Sequence, residues 1–145
     1  MYDAILLPTD GGDGVDAACE YAFDLAARYD ATVHALFVAD SNRYSTVTFD
    51  TGVVDALTEV GAEAVSEIAR RGDDREIPVV EEELQGAPHE GIVAYAEEHG
   101  IDVIVMATHG REGLDRYLVG SVAERVVRTS PVPVLTIPLA AGATD

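Results

Sequence analysis

Two short, unbroken apolar runs constrain this chain most. Ala4-Ile5-Leu6-Leu7 and Val103-Ile104-Val105-Met106 carry no polar side chain, so neither can turn one face to water. Runs of this length and kind are strands covered on both sides, the signature of a parallel sheet wrapped by helices. The first closes on Pro8-Thr9-Asp10-Gly11-Gly12, a turn signal.

The rest of the chain alternates to match. From Asp13 to Tyr29, Ala18, Ala22, Leu25, Ala26 and Tyr29 recur at helical spacing, and Asp13 and Asp16 sit where a helix start favours acids. Val33 to Val38 reads as a second strand and Asp40 to Asp50 as a polar surface loop. A second helix is expected from Val53 to Arg71, burying Val54, Leu57, Gly61, Ala64, Val65 and Ile68, with Gly72-Asp73-Asp74-Arg75 breaking it. Val79 to Leu84 carries Glu81-Glu82-Glu83, charge on both faces, and so belongs at a sheet edge. Pro88, harmless in the first turn of a helix, opens a third helix through Ile92, Val93 and Ala96 to His99-Gly100. After the second apolar run come a short helix, Ser121 to Arg128, and a last strand, Val132 to Ile137.

This order predicts one domain over residues 1–145, an open parallel five-stranded α/β sheet of the Rossmann-like type with helices on both faces. The two most apolar strands belong at the centre, giving strand order 3-2-1-4-5. Ligands of such sheets bind beyond the carboxyl ends of the strands where the winding reverses, here between strands one and four.

Charge and composition narrow the function. With 27 acidic and 9 basic residues the net charge is −18, which argues against nucleic acid or an anionic membrane as partner. The single Cys19 cannot form an internal disulfide, and no Cys/His cluster suggests a metal. No apolar run approaches the ~20 residues that span a bilayer. Met1-Tyr2-Asp3 lacks the basic start of a signal peptide, so the expected location is cytoplasmic. All nine basic residues are arginine. An acidic, lysine-free surface suits a salt-rich, halophilic cytosol, where screening over ~3 Å at molar salt removes most self-repulsion; a strongly acidic mesophilic protein is the alternative.

The predicted crevice falls on two loops, Pro8 to Gly14 and Ala107 to Gly120. In the second, Gly110 and Gly113 allow amides to approach an anion closely. Ser121 can cap the fourth helix, with Glu124 three residues on completing a capping box. The helix start then faces the crevice as a phosphate site. From Ala107 to Thr129, Arg111, Arg116, Arg125 and Arg128 stand against Glu112, Asp115 and Glu124, a local 4 − 3 = +1 in an otherwise acidic chain. The plainer reading is that the glycines shape a turn and the arginines cover the helix.

Thr108-His109-Gly110-Arg111, Gly120-Ser121-Val122-Ala123-Glu124-Arg125, Pro131-Val132-Pro133-Val134-Leu135 and the opening Ile5-Leu6-Leu7-Pro8-Thr9-Asp10 together resemble the universal stress protein family over the whole chain. Nucleotide-binding members carry Gly, two residues, Gly, nine residues, then Gly-Ser or Gly-Thr. The second and third elements match at Gly110 and Gly120-Ser121; the first falls on Ala107, whose methyl group could crowd a phosphate. The resemblance implies ATP or another adenine nucleotide, with Mg or Mn, held by Pro8, Thr9, Asp10, Val38, Ala107, His109, Gly110, Arg111, Gly113, Gly120, Ser121 and Val122. Asp10 would accept from the ribose or adenine, Val38 would pack on the base, and His109 could donate to a phosphate. A turn carboxylate bonding its own backbone competes for Asp10. The resemblance further implies a stress-response role as a homodimer through strand five, with an unidentified protein partner left open. Val132 to Pro138 is apolar yet proline-bearing, and so an exposed hydrophobic edge, which points to the same dimer.

No catalytic residue is expected. A P-loop is impossible without lysine, and no Ser-His-Asp order suggests a hydrolase; slow ATP hydrolysis is the most chemistry allowed. A homodimeric interaction or scaffold protein that has lost nucleotide binding through Ala107 and the acidic surface is the main alternative. A nucleotidyl-transferring enzyme would need a lysine or histidine pair that is lacking. Cys19 reads as a core residue with no basic neighbour, His34 as a satisfied interior histidine, and His89 and His99 as the two ends of the third helix.

Overall fold

The structure is a computed structural model describing residues 1–12, 14–40, 51–108 and 120–138, with the backbone alone for 51–58. Strands β1 (Ala4–Thr9), β2 (Thr32–Ala39), β3 (Val79–Gln85), β4 (Val103–Ala107) and β5 (Val134–Ile137) alternate with helices α1 (Val15–Tyr29), α2 (Thr51–Asp74), α3 (Pro88–Glu98) and α4 (Ser121–Thr129). All pairings are parallel and the order is β3-β2-β1-β4-β5. The expected architecture is therefore the one found, with the charged β3 and the proline-flanked β5 at the edges.

Side-chain alternation divides the core. Ile5, Leu7, Val33, Ala35 and Val105 face α1 and α2, meeting Cys19, Ala22, Phe23, Val65 and Ile68. Leu6, Leu36, Ile104 and Met106 face α3 and α4, meeting Ile92, Tyr95, Ala96, Ala123 and Val126. Each large apolar side chain buried this way contributes about 1.5–3 kcal/mol. The chain thus leaves β1 for one face and β4 for the other, which puts the winding reversal between them.

Several boundaries differ from those expected, each for a physical reason. β1 continues through Pro8 and Thr9, paired with Leu36 and Phe37. Asp3 bonds toward β2 and Ala4 toward the β4 side, so strand alternation points Pro8 to the β4 side as well. There the ladder pairs only Ile5 with Val103 and Leu6 with Ile104, so the missing proline N–H removes no bond.

α2 runs past Gly72 to Asp74. Gly72 is a close-approach residue, since a β-carbon there would stand 2.4 Å from Val79 Cγ2. The helix is ended by Glu76, at φ 59°, with Ile77 N–H donating to Gly72 O and Glu76 N–H to Asp73 O, a Schellman closure. Of the residues expected to be buried on α2, Gly61, Val65 and Ile68 are buried and Ala64 half-buried, while the side chains of Val54 and Leu57 lie outside those described.

α1 begins at Val15, and Asp13 and the 41–50 segment lie outside the described residues. β5 is shorter than expected, Val134–Ile137; Pro133 and Pro138 flank it and do not interrupt it.

Candidate functional site

At the carboxyl end of the sheet the central strands part. The β1–β4 ladder stops at Leu6 and Ile104, whereas β1 stays paired with β2 as far as Thr9 and Phe37 and β4 with β5 as far as Ala107 and Ile137. A crevice therefore opens between the end of β1 and the end of β4.

One wall is the turn after β1. Gly11 N–H donates to Thr9 Oγ1 at 3.1 Å and Gly12 N–H to Asp10 Oδ1 at 2.9 Å, so the side chains of Thr9 and Asp10 both brace the turn. Gly11 has φ 86°, and a β-carbon there would stand 3.0 Å from Val60 Cγ1. The turn-bonding reading of Asp10 is realised, and its exposed carboxyl stands at the crevice rim.

The opposite wall is the start of α4. Gly120 is the N-cap, with φ −60° and ψ 150°, and among the described residues no side-chain cap hydrogen bond is made to the helix start. The expected capping box is not formed: Ser121 is already the first helical residue, and the Glu124 carboxylate pairs with Arg128 at 2.7 Å. Helix geometry leaves the amides of Ser121, Val122 and Ala123 without an intrahelical acceptor, at the positive end of the helix dipole. Gly120 N–H donates to Thr108 O, and Thr108 N–H to Ile137 O at 3.0 Å. The helix start is thereby fastened to the tips of β4 and β5 through Thr108, a buried polar residue that was given no role of its own from sequence. Its sequence signals were its place directly after an apolar strand and its position at the head of the Thr108-His109-Gly110-Arg111 string.

Ala107 ends β4 and is not among the described residues with positive φ, so alanine strains nothing in the strand backbone. Val38 lies near the end of β2 and belongs to the α3 side of the core. The structure thus gathers Pro8, Thr9, Asp10, Val38, Ala107, Gly120, Ser121 and Val122 at one end of the sheet. His109, Gly110, Arg111 and Gly113 lie outside the described residues.

The remaining conspicuous residues sit elsewhere. Cys19 is buried and its thiol is pushed up to about 11 by that burial. Contrary to expectation a basic group stands near it, since Arg71 pulls the thiol the other way, but burial wins. His34 shares a 2.7 Å hydrogen bond with Tyr95 Oη, which stacks on His99. Burial, and then the charge of His99, holds the His34 imidazole below its usual range, opposed by Glu82. Among the described residues no group of three or more His, Cys, Asp or Glu is arranged to hold a metal.

The model of the universal stress protein family matches residues 1–138. The chain belongs to that family. Universal stress protein MJ0531 of Methanocaldococcus jannaschii is 35% identical over 140 residues, covering 94% of this chain and 82% of the relative. Universal stress protein MJ0577 of the same organism is 32% identical over 155 residues, covering 94% and 95%. The solved structure of MJ0577 superposes with a TM-score of 0.85 over 94% of this chain and 96% of that one, at 33% identity. A universal stress protein from Archaeoglobus fulgidus, solved in complex with dAMP, superposes with a TM-score of 0.66 at 25% identity, covering 94% and 98%. The two solved structures share this fold, and the second was solved with dAMP bound. No helix among the described residues is long and apolar enough to cross a membrane.

Proposed function

We propose that this universal stress protein is an ATP-binding regulator of a stress response, working as a single-domain homodimer in a salt-rich cytoplasm. The observation that carries the reading is the uncapped start of α4, fastened at the tip of β4 and facing the braced turn after β1. Three amides and a helix dipole converge there with no side-chain cap among the described residues, which suits a phosphate group. The dAMP complex of the Archaeoglobus fulgidus relative supports an adenine nucleotide. In this reading phosphates lie at Gly120, Ser121 and Val122 near Ala107, with His109, Gly110, Arg111 and Gly113 on the intervening segment. The nucleoside lies along Pro8, Thr9 and Asp10, and Val38 packs on the base.

The described residues offer no carboxylate cage, so Mg or Mn would be carried in by the triphosphate, keeping waters and phosphate oxygens as ligands. Such an ion offsets the phosphate charge against a protein of −18. In this reading the protein's own part is binding and orientation, with ATP turnover at most slow. At the β5 edge Leu135, on the α1 face of the sheet, is 38% exposed and Val127, on α4 across the sheet, 52%, so apolar side chains flank an open strand edge that a second copy would cover.

The test is calorimetry on protein stripped of ligand and shown to be folded, titrated with ATP and magnesium in molar salt. A micromolar affinity, about 8 kcal/mol, is expected. Absence of binding by every adenine nucleotide favours the scaffold reading, with the Ala107 methyl as its cause, and Ala107→Gly then restores binding.

A further inference from the structure

Gly91 sits in the first turn of α3 with no need for glycine in its own backbone, since the positive-φ glycines among the described residues are Gly11, Gly86 and Gly100. A glycine inside a helix weakens it relative to alanine, so some contact must account for it. A β-carbon at position 91 would stand 3.2 Å from Val38 Cγ2, 3.3 Å from Cγ1 and 3.8 Å from Cβ. Both methyl groups of Val38 therefore lie flush against the bare helix backbone.

We infer that Gly91 is a positioning residue for the nucleobase: lacking a side chain, it lets Val38 withdraw onto α3 and so sets the width of the slot in which the base packs. The inference rests on the nucleotide-binding reading above. Valine has one stiff torsion, and rotating it only exchanges one crowded methyl for the other, so an added β-carbon must displace the side chain as a whole. Toward the sheet interior the way is blocked by Leu36, two residues back on the same face and fully buried. On the β3 side Val38 is paired with Leu84, whereas on the β1 side pairing ends with Thr9 and Phe37, one residue short of Val38, so no strand partner flanks it in that direction. That direction leads to the turn of Pro8, Thr9 and Asp10, where the nucleoside lies. A β-carbon on α3 is thus felt in the base slot through Val38, without touching the ligand.

The experiment measures ATP affinity by calorimetry, and melting temperature, for wild type, Gly91→Ala, Val38→Ala and the double variant. Gly91→Ala is expected to weaken ATP binding about tenfold, as one surplus carbon does in an apolar pocket, with the protein still folded. In the Val38→Ala background the same change should alter affinity less than about twofold, because the crowded methyls are gone. A merely structural glycine would move the melting temperature and leave the affinity alone. Undiminished binding by folded Gly91→Ala, or an equal loss in both backgrounds, overturns the inference while leaving the nucleotide reading intact. A wild type that takes up no ATP overturns both.

Discussion

Gly120 offers the sharpest test, because stability and binding respond to it in opposite directions. Its φ of −60° and ψ of 150° are those of an ordinary N-cap, so Gly120→Asn and Gly120→Asp introduce no backbone strain and supply the missing cap. Asparagine in place of glycine gains a few tenths of a kcal/mol. Aspartate adds the helix-dipole interaction, about 0.3–1 kcal/mol. At about 2–4 °C per kcal/mol for a chain of this size, the melting temperature should rise by about 1 °C for Asn and about 3 °C for Asp. Binding should separate the two. A carboxylate about 4 Å from a phosphate charge is repelled by about 4 kcal/mol at an effective dielectric of 20. Screening leaves about 2.5 kcal/mol at 0.15 M salt and about 1 kcal/mol at 1 M. The Asp variant should therefore bind ATP about seventyfold more weakly than the near-isosteric Asn variant at 0.15 M, and about sixfold more weakly at 1 M. Calorimetry at both salt concentrations, with differential scanning of the unliganded proteins, reads all four quantities. Equal affinity of the Asn and Asp variants would refute a phosphate at the start of α4.

Leu135→Asp should turn a dimer into a monomer in sedimentation at high salt, weakening association at least about a hundredfold because a carboxylate would be buried unpaired; wild type sedimenting as a monomer at micromolar concentration would remove the basis for this. Lowering salt from 1 M to 0.01 M lengthens the screening distance from ~3 to ~30 Å, and the melting temperature should drop by roughly 10 °C; an unchanged value would refute adaptation to salt. His34 is held below its usual 6.5 by burial and then by His99, with Glu82 opposing. Its contribution to stability is complete above about pH 6.5 and lost as pH falls through the lower folded-state value. Thermal melts between pH 7 and 5 should show that loss in wild type, and a flatter profile in His34→Asn.

The sheet order was legible because Ala4–Leu7 and Val103–Met106 are apolar throughout while Glu81-Glu82-Glu83 is not, and burial on both faces sorts strands from centre to edge. What was not legible depends on hydrogen-bond register or on contacts between distant segments. Ser121 and Glu124 have the spacing of a capping box, but which residue takes the first helical dihedral is decided by Gly120 bonding to Thr108, a contact invisible in a local pattern. Gly72 looked like a helix breaker because glycine usually is one; its reason is Val79 lying against it. Glu76, the residue that does turn left-handed, carries a side chain seldom chosen for that conformation. Asp10 was left between ligand and turn, and its bond to Gly12 shows that bracing the turn is one of its tasks. Gly91 was passed over, although an isolated glycine in a helical pattern is itself a signal of close approach.

The clamp at the amino end of the sheet bears on how the chain is made. Asp102 Oδ2 accepts from the amides of Asp3, at 2.8 Å, and Ala4, at 3.0 Å, across 99 and 98 residues. On a ribosome adding about 5–20 residues per second, β1 waits roughly 5–20 s for the strand that covers its second edge. During that interval β1, β2 and β3 can assemble with α1 and α2, leaving an apolar strand bare along one side, the state most open to wrong pairing with a neighbouring nascent chain. Until Asp102 arrives, therefore, the apolar β1 is the strand of this sheet with most to gain from a pairing that is not its own.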